Sequence, residues 1–284
     1  MNTLNKNKNV YKFIQYFLLI AGACVFITPL IWLLSNSFKS YNQIIEFPPK
    51  WFPNPFITSN YTDLFDPDNK NYLPMLTFII NSILVTAGVV IGTTFSTILV
   101  GYAFARLKCR FKNFYFVILL GTLMIPQSVL ILPLFVVYKN LAWLDTLKSL
   151  IVPSFFGNAY FIFLMRQFLM SLPYELDESA YIDGASKLQI LFKILIPLCK
   201  PILITVMVLS FIWTWTDFYS PLIFLTSENK MTLAVGLVLF RGQRRALLGL
   251  LSAATVISII PMVVLFLVAQ KYFVEGISTS GLKG

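Results

Sequence analysis

The stretch ESAYIDGA (Glu178–Ala185), followed by ILIP (Ile194–Pro197) and by Pro201, separates two long apolar segments of this chain. Membrane-spanning segments need only be apolar, whereas this loop carries acidic residues, a glycine and two prolines in a defined order. The order predicts a short helix, a sharp turn and a second helix. A second interpretation is an ordinary polar loop whose acidic residues merely cap a helix.

Near the start of the first helix of the loop lies Pro173, a residue that suits the first turn of a helix. Glu175, Asp177 and Glu178 follow at its amino end, where the helix dipole favours negative charge. Gly184 is expected to end the helix in a left-handed conformation, which glycine adopts without a Cβ penalty.

Apolar residues at helical spacing give both helices of the loop a buried face. Leu172, Leu176 and Ala180 recur every four residues in the first helix. A second helix over Ser186–Leu195, which runs into Pro197, turns four apolar side chains toward the membrane domain: Ile190, Leu191, Ile194 and Leu195. The loop is therefore expected to lie across one face of that domain.

The composition of the whole chain is that of a membrane protein. Of its 284 residues 57% are hydrophobic and 12% are charged, against about 25% charged residues in soluble domains, and its mean hydropathy is +0.77. Six apolar stretches approach the ~20 residues that a membrane helix needs: Ile14–Leu34, Thr77–Gly101, Phe114–Tyr138, Leu150–Phe168, Ile202–Leu225 and Leu248–Tyr272. Because backbone groups in lipid must be paired within their own segment, we predict an all-α integral membrane protein with about six transmembrane helices.

The distribution of Lys and Arg places the loop between the fourth and fifth spans on the cytoplasmic side. With the N-terminus inside, 13 of the 22 Lys and Arg fall in cytoplasmic segments, which is the expected bias. The short basic hairpin Arg106–Lys112 carries most weight, whereas Arg241, Arg244 and Arg245 fall in an outer loop and disagree. We therefore expect both termini in the cytoplasm and a first span that is retained as an anchor.

Composition also argues against several kinds of site. The chain has no histidine, which removes His-based metal sites and Ser-His or Cys-His nucleophiles. Cys24, Cys109 and Cys199 lack metal-ligand spacing and are expected to be free thiols. The segment GISTSGLK (276–283) lacks the Gly-Lys-[Ser/Thr] of a phosphate loop. We assign the net charge of +10 to topology and contact with anionic lipid, not to nucleic-acid binding.

The third span carries prolines and polar residues together. Pro126 and Pro133 are each expected to kink it, and Gln127 and Ser128 follow the first proline. Kinked, polar helices often line transport paths, although packing alone also explains such prolines.

The fifth span carries the one acid that lies within an apolar stretch. Asp217 is flanked by Trp213 and Trp215, and an acid inside a membrane segment is a candidate functional residue. The alternative is a hydrated helix end surrounded by an aromatic belt.

Further motifs extend along nearly the whole chain. They are NS (81–82), GYAFAR (101–106), MIP to PL (124–134), WTWTDF (213–218) and QKYFVEG (270–276). With the loop, they resemble the maltose-type carbohydrate permeases of binding-protein-dependent ATP-binding-cassette (ABC) importers. Two departures keep the size class: Ser179-Ala180 stands for two alanines, and Ile196-Pro197 for Leu-Pro.

The resemblance implies a permease subunit that catalyses no bond chemistry and couples to its ATPase through the loop. The residues that it places at this coupling site are Glu178, Ala180, Asp183, Gly184, Ala185, Ile194 and Pro197. Its implied partners are a second related permease, an extracytoplasmic solute-binding protein, and two ABC ATPases that bind ATP and Mg²⁺. The implied substrate is a sugar or oligosaccharide. The candidate path residues come from the kinked third span and the acid of the fifth span described above: Gln127, Ser128, Trp213, Trp215 and Asp217.

The resemblance also implies a domain division and a location. Residues 1–72 would form a cytoplasmic N-terminus, an anchor helix and an outer loop, and residues 273–284 a cytoplasmic tail. Residues 73–272 would form the type-1 permease core, with its coupling loop at 171–201, in the cell membrane of a prokaryote.

Other functions stay open from the residues alone. An ABC importer of polyamine, phosphate or a lipid precursor would share the same loop. An ion-coupled secondary carrier needs ionisable groups within the membrane, for which only Asp217 is available. A membrane-embedded enzyme needs clustered catalytic groups, which the spans lack.

Overall fold

The computed structural model describes residues 2–69, 73–243 and 247–280, and every regular element in these ranges is a helix. The α-helices are α1 (Asn2–Ser37), α2 (Tyr41–Ile45), α3 (Ser59–Asp63), α4 (Met75–Arg106), α5 (Lys112–Thr122), α6 (Gln127–Asn140), α7 (Lys148–Ile151), α8 (Ala159–Ser171), α9 (Glu175–Ile182), α10 (Lys187–Gln189), α11 (Ile196–Leu198), α12 (Lys200–Trp215), α13 (Tyr219–Phe224), α14 (Leu233–Gln243) and α15 (Leu248–Ser280). The all-α prediction is confirmed, while Arg244 and Arg245 lie outside the described residues.

Among the described residues, four helical segments are long and apolar enough to cross a membrane. They are Tyr11–Ser37, Met75–Arg106, Lys148–Ser171 and Leu248–Gln270. Two bent helix pairs, α5 with α6 and α10–α11 with α12, raise the number to six if each pair is one span. The six predicted stretches all overlap these segments.

The third predicted span is broken instead of kinked. α5 ends at Thr122 and α6 begins at Gln127, and the two helices are bent by 101°. Pro126 lies at this break with extended backbone (φ −60°, ψ 133°), because it has no N–H with which to continue the helix. Pro133 lies inside α6.

The fifth predicted span is also interrupted. α12 ends at Trp215 and α13 begins at Tyr219, whereas the sequence predicted one helix as far as Leu225. Asp217 therefore lies in the break between two helices, which explains how the chain accommodates an acid there.

By its contacts the chain divides into two compact units. One is Met1–Leu73 with Leu237–Ile260, and the other is Pro74–Gly236 with Pro261–Gly284. The predicted functional boundaries at 72/73 and 272/273 stay predictions. At the second of them the backbone of α15 continues as helix to Ser280.

In the first unit, Lys39 is buried just beyond the end of α1. Its Nζ donates to Asn36 Oδ1 (3.0 Å) and to the carbonyl of Lys50 (2.6 Å), and it lies 4.2 Å from the centroid of the Trp32 ring. Burial lowers the pKa of Lys39. These contacts hold the proline-rich loop that follows α1 against the end of the helix.

In the second unit, α4 packs mainly on α8 and α12. Gly92 permits a close approach, because a Cβ there would lie 2.7 Å from the Phe155 ring and closer still to Ser154 Oγ. Ser96 Oγ donates to the Ser154 carbonyl (3.0 Å), which fixes the register. α4 is thus the most buried of the candidate spans.

Candidate functional site

The predicted coupling loop, residues 171–201 (the coupling segment below), folds around a left-handed glycine. Gly184 follows α9 with φ +81°. The amides of Gly184 and Ala185 donate to the carbonyls of Tyr181 and Ala180 (3.1 and 3.0 Å), which is the Schellman pattern. The predicted left-handed end of the first helix is therefore confirmed.

The second helix of the coupling segment begins with a capping box. Gln189 N donates to Ser186 Oγ (3.3 Å), and Ser186 N donates to Gln189 Oε1 (2.7 Å). The chain then forms a π-helix at Ile190–Leu195 and continues through Pro197 to Leu198. Pro197 has no N–H to donate to the preceding turn. The wider π-helical turn before it lets the helix continue past this proline.

The coupling segment has a buried side and an exposed side. Its buried side joins one apolar cluster: Tyr102, Met165, Leu169, Ala180, Ile190, Leu191, Leu195, Cys199 and Leu203. Ala185 and Ile194 pack against this cluster. The other predicted coupling residues are exposed: Glu178, Asp183, Gly184 and Pro197. The predicted set therefore splits into residues that anchor the segment and residues that face outward.

One acid of α9 is not at the surface. Asp177 Oδ2 lies 3.5 Å from Arg106 Nε, and the two side chains are 11% and 5% exposed. Burial raises the pKa of Asp177, and Arg106 opposes this rise. From the sequence, Asp177 is one of three acids expected at the amino end of the helix. Its spacing of three residues from Ala180, which puts both on one face of α9, was the available signal.

The end of α4 holds the coupling segment at three further points. Arg106 Nη2 donates to the Leu172 carbonyl (3.0 Å), and its guanidinium lies 5.4 Å from the centroid of the Tyr174 ring. One turn earlier, Tyr102 donates its hydroxyl to the Lys187 carbonyl (3.3 Å). The end of α4 therefore contacts both helices of the coupling segment.

A cleft of about 570 Å³ opens beside the Arg106–Asp177 pair. Three tyrosines line it: Tyr102, Tyr174 and Tyr181. At the outward tip of the segment, Tyr181, Ile182 and Leu188 are 69%, 84% and 62% exposed. Apolar groups of this size next to exposed carboxylates form a surface suited to a protein partner.

Two adjoining cavities, of about 300 and 590 Å³, lie between the spans of the same unit. The residues common to both are Val89, Thr93, Gln127, Asn158, Thr214 and Asp217. Trp213 lines the larger one. Three of the five predicted path residues, Gln127, Trp213 and Asp217, thus meet at one place.

The remaining two path residues lie elsewhere. Trp215 is buried and stacks on Phe211 at 5.7 Å between ring centroids, and Ser128 is exposed and does not line either cavity. Thr93 and Asn158 were not predicted from the sequence, since one lies in an apolar helix and the other caps α8 through Tyr160 N (3.0 Å).

Asp217 and Trp213 are held by local contacts. Asp217 Oδ1 accepts from the amide of Ser220 (3.2 Å) at the start of α13. The Trp213 ring lies 5.6 and 5.0 Å from the rings of Tyr160 and Phe161. Asp217 therefore caps a helix, and the same carboxylate borders the cavity.

A second acid, Asp145, is held by several hydrogen bonds and is not among the residues that line the cavities. Asp145 Oδ1 accepts from the amides of Thr226 (2.9 Å) and Ser227 (2.8 Å), and Oδ2 accepts from Ser227 Oγ (2.5 Å) and Lys230 Nζ (3.2 Å). The Ser227 hydroxyl and the backbone amides hold the pKa of Asp145 well below its ordinary value. We call these four residues the Asp145 latch. It joins the connection between α6 and α7 to the segment after α13.

A comparison with known protein families matches the part of the chain that contains most of these elements. The model of a family described as the inner membrane component of binding-protein-dependent transport systems matches residues 97–279. The chain belongs to this family. The matched range contains the coupling segment, the Asp145 latch, and the cavity residues from Gln127 to Asp217.

Several permeases of this family are similar to the chain over most of its length. A probable ABC transporter permease protein, YurM of Bacillus subtilis (strain 168), is 33% identical over 90% of this chain and 83% of its own. The trehalose/maltose transport system permease protein MalG of Thermococcus litoralis is 31% identical, over 94% of each. The melibiose/raffinose/stachyose import permease protein MelC of Bacillus subtilis is also 31% identical, over 92% and 93%.

A solved structure has the same fold. It is a bacterial ABC transporter involved in the import of the acidic polysaccharide alginate, with a TM-score of 0.82 and 26% identity. The match covers 93% of this chain and 97% of the other. As a family member, this chain is a membrane permease and not itself an enzyme.

Proposed function

We propose that this permease is the transmembrane subunit of an ATP-driven importer of a sugar or oligosaccharide. The cavity carries the proposal, because its described lining holds neutral hydrogen-bonding side chains, Thr93, Gln127 and Asn158, beside the exposed ring of Trp213. Hydroxyl groups of a sugar fit such amides and hydroxyls, and its apolar faces fit an aromatic ring. The sugar permeases among the relatives support the same assignment.

The charge of the cavity lining favours a neutral solute. Asp217 is the charged residue among the lining residues described, and Lys and Arg are not among them. Recognition of phosphate usually takes Arg, Lys or a helix N-terminus. A phosphate importer is therefore poorly supported, and a polyamine would have a single carboxylate to bind.

We further propose that the coupling segment binds the ATPase. Its outward tip combines exposed apolar side chains, Ile182 and Leu188, with the carboxylates of Glu178 and Asp183. In this proposal the ATPase covers that tip, ATP and Mg²⁺ are bound by the ATPase, and the spans alternate between outward- and inward-facing states. The assembly would contain a second related permease, two ATPases and an extracytoplasmic solute-binding protein, with both termini of this chain in the cytoplasm of a prokaryote.

The test begins at Gly184, where in this chain a Cβ would meet open space. Gly184→Asp should leave the protein in the membrane yet lower uptake at least about tenfold, since a new charged side chain meets the ATPase and strains a positive φ. Uptake would be measured in vesicles that hold the permease with its ATPase. Gly121→Ala, also facing open space but at a helical position of α5, is the control and should leave uptake unchanged.

The substrate is tested separately through the solute-binding protein. In calorimetry the solute-binding protein should bind neutral oligosaccharides and should not bind phosphate or spermidine. Uptake by the purified permease alone, driven by an ion gradient, would contradict the ATP-driven mechanism. Normal uptake by Gly184→Asp would contradict the role of the coupling segment.

A further inference from the structure

One helix contacts both parts of the site. α4 lines the cavities at Val89 and Thr93, and its last residue, Arg106, contacts the coupling segment. At 1.5 Å per residue, Val89 and Arg106 are about 25 Å apart along the helix. α4 has no proline, unlike α6 and α15, which contain Pro133 and Pro261. α4 is therefore one continuous helix of 32 residues, and a movement at its end can reach the cavity residues through an unbroken backbone.

Besides the contact of Arg106 with the Tyr174 ring, three polar contacts join α4 to the coupling segment, and they are not equivalent. Two are hydrogen bonds to backbone carbonyls, those of Leu172 and Lys187, so they do not depend on a side chain of the segment. The third is the Arg106–Asp177 pair, and in it α9 contributes a side chain. Of these three polar attachments, the pair is the one that ties the orientation of α9 to α4.

Stability does not account well for this pair. A buried ion pair costs the desolvation of both groups and is often no better for stability than two apolar residues. Arg106 and Asp177 nevertheless lie beside the apolar cluster that embeds the coupling segment. In some proteins buried ionic groups specify how two elements are oriented, and this pair is placed to do so for α9 and α4.

We propose that α4 transmits movement of the coupling segment to the cavity wall, and that the Arg106–Asp177 pair is the contact through which α9 moves it. The inference rests on the proposed function, since it needs an ATPase to move α9. When the ATPase displaces α9, the pair carries Arg106 with it. The displacement then reaches Val89 and Thr93 through the continuous helix.

The test follows the cavity wall directly. Val89→Cys is introduced into a chain whose Cys24, Cys109 and Cys199 are serine, and the permease is purified with its ATPase. The rate of labelling by a water-soluble maleimide is measured with and without a non-hydrolysable ATP analogue. With the native pair the analogue should change the rate about tenfold. With Asp177→Asn this ratio should fall to near one, while the ATPase still co-purifies and hydrolyses ATP.

Two controls distinguish a role of the pair in transmitting movement from a role in holding the fold together. Glu175→Gln makes the same kind of change on an exposed acid of α9 and should keep the full response. The exchange Arg106→Asp with Asp177→Arg restores opposite charges, and the adjacent cleft of about 570 Å³ gives the longer side chain room. This exchange should recover at least part of the ATP response that Asp177→Asn loses.

Each other outcome counts against the proposal. A full response in Asp177→Asn shows that the pair does not transmit movement. Loss of the ATPase from that variant shows that the pair belongs to the docking surface instead. If even the native pair gives no response to the ATP analogue, the proposed coupling to an ATPase fails, and this inference fails with it.

Discussion

Asp177 and Asp145 lie in the same unit of the chain, and each is held by a cation far away in sequence, yet their surroundings differ. The Asp177 side chain is 11% exposed, lies 3.5 Å from Arg106, and has no hydrogen-bond partner for its Oδ2 among the described residues. The Asp145 side chain is 29% exposed and accepts four hydrogen bonds, from Thr226, Ser227 and Lys230.

This difference sets the two pKa values in opposite directions. Burial raises the pKa of Asp177. Hydrogen bonds lower the pKa of Asp145, and the bond from the Ser227 hydroxyl has the largest effect. A raised pKa means that the charged acid is less stable in the fold than in water, and a lowered pKa means the reverse. The charged form of Asp145 therefore stabilises the latch, whereas the charged form of Asp177 destabilises the fold around α9.

The largest difference is expected when each cation is removed. Arg106→Met leaves the buried Asp177 carboxylate without its counter-charge and should lower the free energy of unfolding by about 3 kcal/mol or more. Lys230→Met removes a cation that is 42% exposed and should cost about 1 kcal/mol or less. Denaturation of the purified permease followed by fluorescence gives both values. Arg110→Met, at an exposed arginine, is the matched control, and equal losses at positions 106 and 230 would contradict the comparison.

Removing the acids should have effects of opposite sign. Asp145→Ala takes the acceptor from two amides and a hydroxyl and should cost about 1.5–3 kcal/mol of local stability. Asp177→Asn should leave local stability unchanged or raise it, because it removes a poorly solvated charge while Arg106 keeps its hydrogen bond to the Leu172 carbonyl and its contact with the Tyr174 ring. Hydrogen exchange at Thr226 and Ser227 and within α9 reports each effect.

Asp145→Asn separates charge from shape in the latch. Asparagine keeps an acceptor oxygen and tolerates the positive φ of this residue, +55°, so exchange at Thr226 should rise less than in Asp145→Ala. Faster exchange in α9 of Asp177→Asn than in the native chain would overturn the assignment of opposite signs.

Lowering the pH should change local stability in opposite directions at the Asp145 latch and at α9. Asp145 has a lowered pKa, so its stabilisation is present above its ordinary pKa of 3.8 and is lost as the pH falls below that value. Asp177 has a raised pKa, so its contribution is greatest below 3.8 and is lost as the pH rises through its folded pKa. Between pH 6 and pH 3.5, opening measured by hydrogen exchange should increase at Ser227 and decrease in α9, by at most about 1.4 kcal/mol per pH unit.

The variants Asp145→Asn and Asp177→Asn are the controls for this pH dependence. Each should flatten the response at its own end and leave the other end as in the native chain. A response that is the same at both ends would mean that these two acids do not determine it.

The features that the sequence predicted depend on nearby residues. Six apolar stretches follow from hydropathy alone, and Gly184 follows from the left-handed end of a helix, which its neighbours determine. The acids that distinguish the two ends were not recognised, because their partners are distant: Arg106 is 71 residues from Asp177, and Ser227 is 82 residues from Asp145. No periodicity along the chain reports such a pairing.

The two interrupted spans show the same limit. The sequence predicts that Pro126 disturbs its helix. Whether the helix kinks or breaks, as it does here by 101°, depends on how its two halves pack against neighbouring helices. Likewise, Asp217 lies between α12 and α13 and accepts a hydrogen bond from Ser220 N, a contact that hydropathy does not record. Gln127, Trp213 and Asp217 were found, whereas Thr93 and Asn158 needed the fold to bring them to the cavity.

Salt should produce the smallest difference between the two ends. The Lys230–Asp145 pair is partly exposed and the Arg106–Asp177 pair is buried, and screening acts mainly on charges that water and ions reach. Raising NaCl from about 0.05 to about 0.5 M should therefore weaken the latch by about 0.5 kcal/mol or less, seen as faster exchange at Ser227, and leave α9 unchanged. The exposed pair Lys50–Glu46, with N–O at 2.5 Å, should respond like the latch. A salt effect confined to α9 would mean that ions enter the cleft beside Arg106, and that this pair is solvated after all.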